Sequence, residues 1–301
     1  MHILLTALAV LVVAAALTLF LARRFWLAGT AKAMARVLES MDAAGDRGPH
    51  DAFSYGMLEG LPAPVARYFR AVLKEGQPLV RTARIEHRGT FLSKPPDGWG
   101  PFTSNQVFAV QPPGMVWDAR IRMGPVEVLV RDAFLDGQGA MHGKVLGLIP
   151  VVSVGGTPEI AAGALHRYLA EAAWFPTALL PGQAVTWAPV DDSTARATIT
   201  AGATTVSLDF HFGADGLVSR VYTPARMRDV NGRGVPTPWQ GRNTQWAEFD
   251  GMLIPVEAVV EWVLPEGPLA YWRGEIVAAS YEKILSRPAL PISIGDQLTP
   301  D

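Results

Sequence analysis

Hydrophobic and polar positions follow three rhythms along this chain, and each predicts a different element. The first has no polar interruption by charge: Ile3–Ala22 (ILLTALAVLVVAAALTLFLA) is uncharged. About twenty residues at about 1.5 Å rise span a hydrocarbon core of roughly 30 Å. The second rhythm is helical. In Ala28–Ala44 the residues Met34, Val37, Leu38 and Met41 form one apolar stripe, free to lie on a membrane or to pack on the domain. Pro62 opens a helix that stops at Gly76, with Val65, Phe69, Val72 and Leu73 on its apolar face. Pro158–Ala173 follows Thr157, a good N-cap, and aligns Ile160, Ala164, Leu165, Tyr168 and Leu169.

From Val80 onward the period becomes two. Trp117, Ala119, Ile121 and Met123 share one face, with Asp118, Arg120 and Arg122 on the other. Ala195–Ala201, Val206–Phe212 and Ile254–Leu264 alternate in the same way. Such strands belong to antiparallel sheet with one wet face. Asp97-Gly98, Asp136-Gly137, Asp215-Gly216, Asn231-Gly232 and Asp250-Gly251 supply hairpin turns between them. The expectation is an α+β fold: an N-terminal transmembrane helix, then a large curved antiparallel sheet of about ten to twelve strands, covered on its concave face by helices. The domain division follows: anchor 1–26, amphipathic helix and Gly/Asp-rich linker 27–60, β-rich domain 61–285, tail 286–301.

Composition sharpens the picture. The chain of 301 residues is 49% hydrophobic and 18% charged, but without Ile3–Ala22 its mean hydropathy falls to roughly zero, an ordinary globular value. A net charge of −2 lacks the basic footprint of a general nucleic-acid binder. With no cysteine there is no disulfide, Cys-ligated zinc, iron–sulfur cluster or thiol nucleophile. Arg23 and Arg24 close the apolar run, and Phe25 and Trp26 suit a membrane interface. The run is long for a signal peptide and has no preceding Lys or Arg, which favours an uncleaved anchor. Arg23, Arg24, Lys32 and Arg36 then place the domain on the cytoplasmic side by the positive-inside rule.

Candidate chemistry is sparse. No two of the six histidines have metal-ligand spacing, and neither a nucleophile elbow nor a dinucleotide-binding rhythm is present, so no catalytic residue, metal or cofactor is expected. Glu257 and Glu261 share a strand face and read as cross-strand ion pairs rather than as an acid and base. Arg226 and Arg228 share another, and Arg suits carboxylate and phosphate. Of the nine tryptophans, those on predicted apolar faces, Trp117 and Trp262 above all, can line a hydrophobic cavity. The ligand candidates are therefore Trp117, Trp262, Arg226 and Arg228.

Gly60–Phe69 (GLPAPVARYF), Trp174–Pro181 (WFPTALLP) and Gly251–Pro255 (GMLIP) resemble an uncharacterised bacterial membrane-anchored family, a domain of unknown function. The resemblance brings no activity and no site residues. At the level of fold alone, a helix-covered curved sheet is similar to the periplasmic lipoprotein carriers, which implies acyl chains held between sheet and helices and a domain outside the cytoplasmic membrane. The leading expectation is a membrane-anchored binding module, in contact with the bilayer through Ile3–Ala22, with an apolar groove for lipid or a lipidated partner. One alternative is an enzyme in which His87, His211, Glu257 and Glu261 converge. The other is an interaction protein recruiting a partner through a sheet edge or the Arg226 strand.

Overall fold

The computed structural model describes residues 1–44 and 51–284. The expected tail 286–301, the first part of the linker (45–50) and His50 lie outside the described residues. Helix α1 (His2–Ala44) is continuous, so the apolar run and the stripe after it form one rod roughly 65 Å long. Its first half is long and apolar enough to cross a membrane and is covered by no other described residue. The rod changes character after Arg23. Trp26, Val37 and Met41 are buried, and Val37 and Met41 sit on the small side chains of Val107, Ala109, Val116 and Ala133.

Among the described residues the sheet has thirteen antiparallel strands. The first six are β1 (Val80–Leu92), β2 (Trp99–Ala109), β3 (Gly114–Met123), β4 (Val126–Leu135), β5 (Gln138–Val145) and β6 (Ile149–Gly155). Helix α3 (Pro158–Glu171) intervenes. Then come β7 (Val185–Asp191), β8 (Thr194–Ala201), β9 (Thr204–Phe212), β10 (Val218–Val230), β11 (Arg233–Phe249), β12 (Met252–Leu264) and β13 (Gly267–Lys283). Two meanders are zipped together where β1 pairs with β13, giving the order 6-5-4-3-2-1-13-12-11-10-9-8-7. The turn chemistry explains the hairpins: Asp136, Gly137, Asn231, Gly232, Asp250 and Gly251 all have positive φ, as the tight primed turns demand.

Curvature brings the two meanders face to face. The Gly137 turn, beside β5, touches the Gly202 turn, beside β8, within 3.5 Å of a Cβ built on Gly137, although nearly the whole sheet separates them in strand order. Helices α2 (Ala63–Val72) and α3 fill the concave side in one core with Phe108, Met115, Phe134, Leu208 and Phe210. The Thr157 hydroxyl caps α3 by accepting from the Ile160 amide. Gly139 lets α3 press on β5, because a Cβ there would lie 2.5 Å from the Ile160 carbonyl. The second half of α1 lies on the opposite face of the sheet.

Two local readings differ from the structure. Helix α2 ends at Val72, with Leu73 turned extended and buried, four residues short of Gly76. Residues 51–60, the described part of the expected linker, are packed through Phe53 and Leu58 around a short 3-10 turn (Tyr55–Leu58). Those two apolar residues have no regular spacing, so no periodicity announces them.

Candidate functional site

The sharpest constellation lies on the concave side of β10–β13. Strand β10 is bulged between Thr223 and Arg226, and the extra residue turns Arg226 to the same side as Trp239. Trp239 and Trp262 stand directly opposite one another on β11 and β12. A second bulge makes Tyr271 the unpaired residue of β13, and its ring stacks on Trp262 at 5.9 Å. The Arg226 guanidinium carbon lies 5.0 Å from the Trp239 ring centroid and 5.5 Å from that of Trp262, with Arg228 at 6.0 Å from Trp262. Indole faces attract such cations.

Hydrogen bonds orient this corner without saturating it. Arg226 Nη2 donates to the Gly163 carbonyl of α3 at 3.1 Å, and Nη1 donates to Tyr271 Oη at 3.4 Å. Trp239 Nε1 donates to the same Tyr271 oxygen at 2.8 Å. Among the described residues, Arg226 Nε is buried and has no hydrogen-bond partner. A buried N–H without an acceptor costs about 1–3 kcal/mol. Trp239 is buried, whereas Trp262, Tyr271, Arg226 and Arg228 are half-exposed. Beside them, between α3 and β8–β10, runs a cleft of about 340 Å³ walled by Ala162, His166, Ser207, Tyr222 and Pro224. Burial and the Arg226 charge push His166 down to about 4, so its ring is neutral at pH 7.

A second group lies deeper, under the other half of α3. Gln106, Trp117 and Asp132 stand opposite one another on β2, β3 and β4. Arg167 reaches down from α3 onto that row. It pairs with Asp132 at 2.7 Å and Glu171 at 2.6 Å, and lies 4.7 Å over the Trp117 ring. Gln106 Nε2 completes the ring by donating to Glu171 at 2.6 Å. Burial works against the Arg167 charge, but the two carboxylates outweigh it and hold the guanidinium charged. Burial lifts the Glu171 carboxyl above the usual range, against the pull of Arg167 and Gln106. Next to this group, His87 lies between Trp174 and Trp272, 4.7 and 6.0 Å between ring centroids. Ser104 Oγ is 3.3 Å from its Nδ1, and its Nε2 is buried without a hydrogen-bond partner among the described residues.

Comparison with known proteins places the chain in a family. A family model described as a family of unknown function (DUF6920) matches residues 59–281. The chain belongs to that family. The DUF6920 match takes in α2, α3 and the sheet, and α1 lies outside it. Among solved structures this DUF6920 chain is similar to an outer membrane lipoprotein-sorting protein domain from Vibrio parahaemolyticus. Identity there is 7%, with 68% of this chain and 87% of that one covered and a TM-score of 0.34. It is also similar to a LolA superfamily protein from Nitrosomonas europaea, at 11% identity, 75% and 93% coverage and a TM-score of 0.28. Among curated proteins no match is found. Superpositions that loose leave the function of the DUF6920 chain to be argued from its own side chains.

Of the four ligand candidates, the fold brings Arg226, Arg228 and Trp262 together and sets Trp117 under Arg167 in the second group. His87, His211, Glu257 and Glu261 do not converge. His87 faces the concave core with Ile85, while the other three lie on the opposite face. There Glu261 accepts from Arg242 at 2.8 Å and Gln240 at 2.6 Å, and these partners hold its carboxyl below the usual range despite burial. His211 Nε2 lies 2.8 Å from Arg220. Among the described residues no cluster of three or more His, Asp or Glu is placed to hold a metal.

Sequence reasoning overlooked Tyr271, which reaches the corner through a bulge that leaves no trace in a two-residue period. It overlooked Asp132, Arg167 and Glu171 too. Their signal was legible: Asp132 interrupts the inward Val128, Val130, Phe134 series, and Arg167 precedes Glu171 by one helical turn.

Proposed function

We propose that this chain is a membrane-anchored binding module that takes an amphiphile with an anionic head, such as a fatty acid or an acidic lipid. The observation that carries the reading is Arg226: a permanent cation between two indoles, with a buried Nε–H lacking an acceptor, at the half-exposed margin of an otherwise filled concave face. Carboxylate or phosphate oxygen supplies the missing acceptor in a charge-assisted bond. Trp262 and Tyr271 supply an apolar wall for the first part of an acyl chain. The centre of the concave face is packed with Phe108, Tyr168, Phe175 and Leu165, which leaves this margin, rather than the centre, for such a ligand.

Anchoring is supported by the two halves of α1. An uncovered apolar run that matches a bilayer continues without a break into a stripe buried on the domain, so the domain is fastened to whatever surface the run enters.

The test is native mass spectrometry of the full chain in detergent with added oleate or oleyl alcohol. Wild type is expected to retain oleate over Arg226→Met by about tenfold or more, the worth of one charge-assisted hydrogen bond, and both proteins to retain the alcohol equally. Lipid held by α1 is common to both and cancels. Equal oleate retention by the two proteins overturns the reading.

A further inference from the structure

Strand β6 ends one side of the sheet, and every residue of Ile149–Gly155 but one is exposed. The turn that leads into it is apolar. Leu146, Leu148, Ile149 and Val151 are exposed, Ile149 and Val151 by 59% and 57%. Leu146 also has a positive φ of 53°. Among the described residues, the other non-glycine residues in that conformation are Asp136, Asn231 and Asp250, the types that tolerate it. A bulky apolar residue is therefore held, at a local cost, at a tip where a soluble hairpin takes Asn or Asp.

The tip is not free to wander. A Cβ built on Gly147 would lie 3.4 Å from Arg23 Cα and 3.5 Å from Arg23 N, so the turn's backbone abuts α1. The Leu146 amide donates to the Glu127 carbonyl at 2.8 Å, and the Glu127 carboxylate pairs with Arg23 at 2.9 Å. Arg23 is the residue at which the apolar run Ile3–Ala22 ends. Phe25, 76% exposed, lies one short step further along the helix.

We propose that the β5–β6 turn, Leu146–Val151, is a second membrane contact, seated in the headgroup and upper acyl region beside the exit of α1. The proposal rests on α1 being a membrane anchor. Its occupant follows from continuity with that anchor: the apolar tip is pinned at the level where the hydrocarbon core gives way to headgroups. Two contacts on rigidly joined elements would fix the domain's tilt on the bilayer, where a single helix leaves it to swing. Pro150 removes one edge N–H from β6, which disfavours pairing of this edge with another strand.

Because the chain has no cysteine, single Ile149→Cys, Val151→Cys, Leu11→Cys and Val190→Cys variants of the full chain can each carry one NBD fluorophore. They are reconstituted in phosphatidylcholine–phosphatidylglycerol vesicles containing lipids with a nitroxide near the headgroup or near the bilayer centre. Val190 is exposed on β7, at the opposite edge of the sheet. The expected result is loss of fluorescence at positions 149 and 151 with the shallow nitroxide, at position 11 with the deep one, and none at 190. Quenching at 11 without quenching at 149 and 151 overturns the second contact and leaves the anchor standing. No quenching at 11 overturns the anchor and this proposal with it. Protection of position 149 from an aqueous quencher that varies with protein density, without quenching by lipid, assigns β6 to a second copy and overturns it. Equal quenching at 190 and 149 overturns it as well.

Discussion

Enclosed by Trp174, Trp272 and Ser104, the His87 ring is driven down to about 3, first by burial and then by the Arg167 charge. Its ordinary value is 6.5, so on acidification the unfolded chain takes this proton before the folded chain does. The contribution is therefore fully present above pH 6.5 and is lost as pH falls toward 3, at up to about 1.4 kcal/mol per pH unit. His166, lowered to about 4, acts in the same direction. Replacing His87 by Phe, which keeps the ring stack, should flatten the acid limb. Denaturant melts of both proteins from pH 7 to about pH 4 check this: stability is expected to fall less steeply in the variant. Parallel curves would mean that the ring titrates in the native state. That His87 is buried was readable from its place among inward residues of β1. What surrounds it was not, because Trp174 and Trp272 come from distant parts of the chain.

Between α3 and the sheet, the Asp132–Arg167–Glu171 group does the work of a polar clamp in an apolar layer. Breaking one member of a buried ion group strands its partners, at about 3–5 kcal/mol, whereas replacing the whole group by apolar side chains is often neutral. Arg167→Met is thus expected to lose about 3–5 kcal/mol of stability by chemical denaturation, and Arg167→Met with Asp132→Leu and Glu171→Met to recover most of it. A triple variant no better than the single one would show that the clamp also sets the register of α3. Periodicity located both helices of the concave face and four strand segments, and residue type located the five turn dipeptides, because each depends on residues close in sequence. It undercounted the strands, thirteen against ten to twelve, and the hardest to see is β6, whose apolar residues face outward on both sides. Bulges escaped for a related reason: a one-residue slip in β10 or β13 exchanges inside for outside and cancels the alternation that reveals a strand.

The described residues form a curled sheet with the second half of one helix rod on its outer face and two shorter helices in its hollow. Four groups are set by that arrangement: an uncovered apolar rod, an apolar turn beside its exit, a filled core, and an Arg–Trp–Tyr corner on the core's margin. The first was plain in the sequence as an uncharged run. Three members of the corner, Arg226, Arg228 and Trp262, were named from residue type and face alone. Their meeting depends on two bulges and on strands joined far apart in the chain. The measurement that bears most directly on the account is photo-crosslinking of the full chain with a diazirine-bearing palmitate, with adducts mapped by peptide mass spectrometry. Adducts on β10, β12 and β13 around Arg226, Trp262 and Tyr271, lost in Arg226→Met, are the predicted result. Adducts confined to α1 and the β5–β6 turn would contradict it.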